Sequence, residues 1–161
     1  MDGFHLSLAQ LKEMPDPSDA IYRRGAPDTF DPKSLEIALQ KIRDGTDETV
    51  ALPGFDHAVG DPKEGQHIFQ RAQHRVVIVE GLYLLHEGHG WASVRDWFDL
   101  SIFIEADVDL CVERLKVRNK CIPGYTPEEI DIRCDKVDRT NAETVTRTKG
   151  RAGLVVRSSA C

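Results

Sequence analysis

Apolar and polar positions follow two periods along this chain. Val76-Val77-Ile78-Val79 is an unbroken β-branched run that stops at Glu80-Gly81. That pattern predicts a strand buried on both faces, as the centre of a parallel sheet requires. Phe98, Leu100, Ile102 and Ile104 alternate with Asp99, Ser101 and Glu105 and predict a second strand. Leu154-Val155-Val156 predicts a last short strand, and Val50 to Pro53 and Gln66 to Phe69 predict brief extended segments. The loop from Gly54 to Pro62 is polar and glycine-rich.

Helical spacing fills the intervals between these strands. A short helix is predicted from Leu6 to Met14, then loop from Pro15 to Asp19. Asp31-Pro32 supplies an N-cap and a first-turn proline for a helix whose apolar face is Leu35, Ala38, Leu39 and Ile42, stopped by Gly45. A short helix is predicted from Trp91 to Trp97. Asp107 caps a helix with Val108, Cys111, Val112 and Leu115 on one face. Thr126-Pro127-Glu128-Glu129 is a capping box that opens a helix through Ile130, Cys134 and Val137. A break is expected near Thr140-Asn141, because Thr144-Val145-Thr146 has poor helix propensity. Strands alternating with helices predict a layered α/β fold with a mostly parallel sheet.

Composition narrows this picture without changing it. The chain has 161 residues, 40% hydrophobic and 30% charged, enough for one domain over residues 1–161. A formal net charge of -6 argues against a nucleic-acid partner. There is no apolar run of membrane-spanning length and no basic-then-apolar leader, so no membrane partner and a cytoplasmic location are expected. Cys111, Cys121, Cys134 and Cys161 form no C-x-x-C pair, which favours reduced thiols over zinc or disulfides.

Candidate chemistry gathers at predicted strand ends. Asp2, the Asp56-His57 pair and Glu80 each stand at such an end or in the loop after one, and ligands of open α/β sheets bind there. A capping or salt-bridging role for Glu80 and a turn-forming role for Asp2 and Asp56 are the plain alternatives. Arg114 and Arg118 lie one helical turn apart. Carboxylates and arginines around one cleft suit phosphoryl transfer, in which acids hold magnesium or take a hydroxyl proton and arginines neutralise phosphate oxygens.

Several motifs occur here in a distinctive order. They are Met1-Asp2-Gly3-Phe4-His5-Leu6, Arg24-Gly25-Ala26-Pro27-Asp28-Thr29-Phe30-Asp31, Phe55-Asp56-His57, Val79 to Leu85, and Asp99 to Ile104 followed by the Arg114/Arg118 helix. In this order they resemble the uridine kinase, phosphoribulokinase and pantothenate kinase superfamily of P-loop kinases, and most of all its uncharacterised uridine-kinase-like branch. The resemblance implies a P-loop NTPase-type three-layer parallel sheet. It also implies ATP and Mg2+ as cofactors and a small-molecule hydroxyl acceptor as partner, with homo-oligomer formation left open. Asp2 would accept the proton of the acceptor hydroxyl, and Glu80 would position magnesium. Phe4, His5, Arg24, Asp56 and His57 would line or contact the acceptor, and Arg114 and Arg118 would close over the phosphates.

One part of that pattern is missing. G-x-x-x-x-G-K-[ST], whose backbone N–H groups and lysine hold nucleotide phosphates, does not occur in the 161 residues; the nearest run is Gly60 to His67. The expectation is therefore a domain lacking the family's first strand, P-loop and first helix, and inactive by itself. A non-catalytic kinase remnant acting as a binding or regulatory module is the alternative.

Overall fold

The computed structural model describes residues 1–56, 59–121 and 124–158. The chain divides into two compact units, Met1–Asp99 and Leu100–Cys161.

The first unit is built on an aromatic core. Tyr83 and Trp91 are fully buried, and Phe30 packs against both with ring centroids 5.6 and 6.0 Å away. Their polar atoms are satisfied by the loop that precedes Phe30: Tyr83 Oη donates to Gly25 O at 2.6 Å and Trp91 Nε1 to Pro27 O at 3.0 Å. Buried aromatic residues with polar tips need such partners, and here the partners fix the Arg24–Asp31 loop. Helices α1 (Leu8–Lys12), α2 (Pro17–Tyr22) and α3 (Pro32–Asp44) belong to this unit. The predicted cap of α3 is present: Asp31 accepts from Ser34 N, Pro32 opens the helix, and Gly45 closes it at φ 76°. Pro15 to Asp19 is not all loop as expected, because Asp16 caps Asp19 N and Pro17 starts α2. The same Asp-Pro device thus works twice in this unit.

Two expectations about strands are corrected. Within the expected Gly54–Pro62 loop, residues 54–56 and 61–62 belong to strands: β1 (Thr49–Asp56) and β2 (Asp61–Gln70) form an antiparallel hairpin whose register shifts between Leu52 and Gly54. The run from Gly60 to His67 therefore sits in a turn and a strand, not ahead of a helix. The Val76–Gly81 segment is not assigned as a strand, and Val76 and Ile78 are 78% and 90% exposed. A strand is defined by its ladder, and among the described residues no ladder partner runs beside this segment. The apolar run has strand composition without strand pairing.

The second unit carries a parallel pair, β3 (Ile102–Glu105) and β4 (Leu154–Arg157), with Ile102 opposite Leu154 and Glu105 opposite Arg157. Between them run α4 (Val108–Asn119), α5 (Pro127–Arg133) and α6 (Arg139–Thr146). The caps of α4 and α5 are those expected, Asp107 on Leu110 N and a complete Thr126/Glu129 box. Val112, Ile130 and Cys134 form the core between these helices. Burial is the main cause that raises the Cys134 thiol pKa. The expected break at Thr140-Asn141 does not occur. A π-helical turn, Cys134–Asp138, joins α5 to α6, and the helix continues to Thr146. Thr140, Thr144 and Thr146 hydroxyls donate to the carbonyls of Lys136, Thr140 and Ala142, which satisfies the hydroxyls without stabilising the helix, so burial of Ile130, Cys134 and Val137 on its inner face is what overrides the low propensity.

Candidate functional site

The site begins at a 3-10 turn, Asp2–Phe4, closed by Phe4 N on Met1 O at 2.9 Å and His5 N on Asp2 O at 3.1 Å. The turn is fastened on both sides. Asp31 N donates to Phe4 O at 2.8 Å and Leu6 N to Thr29 O at 2.9 Å, so His5 bridges Phe30 as in a short antiparallel ladder. Gly3 lies against β1 so closely that an added Cβ would sit 2.2 Å from Pro53 O. Only glycine leaves room for this approach.

Across the site, Met1 N donates to Glu80 O at 2.6 Å, and a Cβ on Gly81 would run into the Met1 side chain. The turn and the Glu80-Gly81 segment are thereby held together. Asp2 and Glu80, far apart in sequence, both line one cavity of about 340 Å³ together with Phe4, Phe55 and His67. Both carboxylates are in exposed residues. Its remaining walls are largely apolar, including Leu35, Leu39 and Val77.

His5 faces a second cavity of about 370 Å³, which it shares with Phe4, Gln10 and Asp31. Its ring lies 4.0 Å from that of Phe30 and 4.9 Å from that of Phe55. Burial lowers the His5 pKa, against the opposing effect of the bond between Nδ1 and Asp2 O. The imidazole is thus held neutral beside Asp2 at physiological pH.

Arg24 is held by protein groups. Its guanidinium donates to Gly60 O, to Leu6 O at 2.7 Å and to Asp61 Oδ1 at 2.9 Å, and it lies 5.3 Å from the centre of the Phe55 ring. Asp56 is the last residue of β1, paired with Asp61, and its Oδ1 accepts from Val59 N at 3.3 Å. Arg24 and Asp56 are outside the linings of both cavities. His57 lies outside the described residues. In the second unit, Arg114 and Arg118 stand one turn apart on exposed positions of α4, with Arg118 Nε donating to Asn119 Oδ1 at 3.2 Å. The strand-end acid of that unit, Glu105, is paired with Lys149 and Arg157, and the Lys149 hydrogen bond is the chief cause that lowers its pKa.

Sequence reasoning missed Asp61, which accepts both Arg24 and Leu8 N through Oδ1. Asp61-Pro62 in a glycine-rich stretch reads as loop, and nothing local signals a partner in the Arg24 loop. It also missed the contact of Gly3 with Pro53, which no single-chain pattern encodes.

A model of the phosphoribulokinase / uridine kinase family matches residues 7–161. The chain belongs to this family. It is 36% identical to the ATP-dependent kinase-like protein notR′ of Aspergillus versicolor, over 92% of this chain and 88% of that protein. It is 35% identical to the ATP-dependent kinase YFH7 of Lachancea thermotolerans, over 73% of this chain but 42% of that one. Two crystal structures share the fold. One is described as a candidate fructose transport system kinase from Silicibacter sp. TM1040, with TM-score 0.83 and 29% identity, covering 97% of this chain and 72% of that one. The other is YFH7 from Saccharomyces cerevisiae, described as a candidate P-loop kinase with a circular permutation, with TM-score 0.81 and 25% identity, covering 99% and 57%. The fold is accordingly that of the P-loop kinases, α/β with a parallel sheet. The chain spans well under two thirds of the length of either YFH7 protein.

Proposed function

We propose that these residues form the acceptor side of an ATP-dependent kinase that phosphorylates an alcohol group of a small metabolite. The observation that carries this reading is the shared cavity: Asp2 and Glu80 line it from two segments held together by the Met1–Glu80 bond. An acceptor hydroxyl in this cavity would give its proton to the Asp2 carboxylate while its oxygen forms the new bond to phosphorus of the ATP γ-phosphoryl group, ADP leaving. Keeping His5 neutral avoids a competing cation beside Asp2. Nucleoside, sugar, glycerate and pantothenate-like acceptors all have the required alcohol.

Magnesium fits the residues present. It needs one or two carboxylates, with water and phosphate oxygens completing its shell, and Glu80 provides an exposed carboxylate at the cavity. The ion, when bound, would neutralise charge on the phosphates. The triphosphate is a different matter. G-x-x-x-x-G-K-[ST] is not among the 161 residues, so they contain no phosphate cradle of that type, and Arg114 and Arg118 are proposed only as phosphate contacts. This same observation favours a second reading, a kinase-family module that binds or regulates without catalysis. No helix among the described residues is long and apolar enough to cross a membrane.

The test compares the gene product purified from its native source with the 161-residue polypeptide. Each is incubated with magnesium, ATP and a panel of alcohols. Phosphate transfer by the native protein, reduced on the order of 100-fold or more in kcat by Asp2→Asn with ATP affinity retained, supports the catalytic reading. Transfer that is indifferent to Asp2→Asn refutes the base role, and no transfer to any acceptor favours the binding module.

A further inference from the structure

The β1–β2 hairpin contributes to both cavities: Phe55 and His67 line the one that holds Asp2 and Glu80, and Thr49 and Glu64 line the other. Its position therefore sets the shape of both. Among the described residues the two strands pair with each other and with no third strand, so beyond the close approach of Gly3 to Pro53 their attachment to the Asp2 turn comes from side chains and loops.

One such attachment is the Arg24 guanidinium. On one side it takes Leu6 O, two residues past the Asp2–Phe4 turn. On the other it takes Gly60 O and Asp61 Oδ1, at the start of β2, and lies over Phe55 near the end of β1. Gly60 has φ 75°, a backbone that favours glycine, in the turn that brings its carbonyl to Arg24. Asp61 Oδ1 reaches back in turn to Leu8 N at 2.8 Å, at the start of α1. The side chains of Arg24 and Asp61 are only 14% and 28% exposed, so solvent screens this pair less than a surface pair. The planar fork of arginine suits two carbonyls, a carboxylate and an aromatic face at once; lysine offers a single point charge.

We propose that Arg24 and Asp61 are a positioning pair, a latch that fixes the hairpin against the Asp2–Leu6 segment and so sets the width of the cavity shared by Asp2 and Glu80. Arg24 then acts on the acceptor through the hairpin, without touching it. The latch itself stands on contacts within the first unit; only its catalytic consequence rests on the kinase reading above.

The test is amide hydrogen exchange on the complete protein, comparing wild type, Arg24→Lys, Asp61→Asn and the double variant. Fluorescence of Trp91 and Trp97 verifies that each variant retains the folded core. The latch predicts exchange faster by about tenfold or more in β1, β2 and at Leu8 for either single variant, with α3 unchanged. It predicts that the double variant exchanges no faster than the worse single one, because both changes open the same contact. Phe55→Leu, which removes the aromatic face and no charge, should give a smaller increase in the same segments. Unchanged hairpin exchange, or additive effects of the two substitutions, overturns the latch. So does an Arg24→Lys protein that loses acceptor binding while its hairpin exchanges normally and Asp61→Asn is silent, since that is the pattern of a direct substrate contact. With turnover established, latch variants should change acceptor KM and kcat together, in contrast to the kcat effect of Asp2→Asn. Fast hairpin exchange with turnover that ignores the latch would leave the latch standing and count against the kinase assignment of the cavity.

Discussion

Gly3→Ala places the account under direct strain. The new Cβ would lie 2.2 Å from Pro53 O, 2.5 Å from Pro53 C and 3.0 Å from Gly54 N, all backbone atoms of β1. Ordinary contact begins near 3.4 Å, so the Asp2–Phe4 turn and β1 must separate by roughly 1.2 Å at the closest pair. No rotamer change relieves a clash with backbone, and overpacking of this kind costs about 1–3 kcal/mol. For a chain of this size each kcal/mol lowers Tm by about 2–4 °C, so the expected drop is about 2–12 °C. Displacing a catalytic carboxylate by about 1 Å costs on the order of 100-fold in rate. Gly150→Ala is the control, since nothing lies within 4 Å of its Cβ position, and a change within about 0.5 kcal/mol is expected. Calorimetry of the two variants beside wild type makes the comparison. If Gly3→Ala melts with Gly150→Ala and wild type, the close approach of the turn to β1 does not exist in solution, and the geometry argued for Asp2 falls with it.

Other expectations are narrower. Asp28 accepts both terminal nitrogens of Arg23 at 2.7 and 2.8 Å, and those hydrogen bonds hold its pKa below the ordinary value of 3.8. A depressed carboxylate contributes stability above its unfolded pKa and loses it as pH falls through the folded one, so the Tm gap between wild type and Asp28→Asn should be full at pH 7 and shrink below about pH 4; a gap unchanged at pH 2 would contradict this. His5 gives the opposite kind of dependence. Its pKa is lowered by burial, so the unfolded chain takes up the proton first, and the His5 contribution should weaken stability as pH falls from about 6.5 towards the depressed folded value. An NMR titration of His5 with a midpoint at or above 6.5 would refute it. Tyr83→Phe removes only the hydroxyl that donates to Gly25 O and leaves that carbonyl short of a donor, at an expected cost of about 1–3 kcal/mol by denaturant unfolding; no loss would mean that water replaces the bond freely.

Much of the helical layer was legible from local chemistry. Asp31-Pro32, Asp107 and Thr126 cap the helices they were expected to cap, because a capping side chain bonds to backbone only three residues away. What failed was non-local. Val76–Gly81 has the composition of a central strand, but a ladder depends on a neighbouring chain segment that composition does not encode. The ends of the hairpin, Val50 to Pro53 and Gln66 to Phe69, read as extended, but Gly54 to Pro62 reads as loop because its glycines and prolines hide the pairing of Thr49–Asp56 with Asp61–Gln70. The candidate site divides the same way. Asp2 and Glu80 do meet at one cavity, whereas Arg24 is engaged by Asp61 and by carbonyls of the chain, partners visible only once the hairpin is folded. The Thr-containing helix shows the remaining limit, since propensity does not include the burial of Ile130, Cys134 and Val137 that keeps residues up to Thr146 helical.

The claim on which the rest depends is that Asp2 takes the acceptor proton at the cavity it shares with Glu80. Single-turnover transfer of the ATP γ-phosphoryl group by the native protein, wild type against Asp2→Asn, measures it most directly. The account predicts a chemical step slower by on the order of 100-fold or more, with ATP still bound at wild-type affinity. An Asp2→Asn protein that transfers phosphate at the wild-type rate would contradict it.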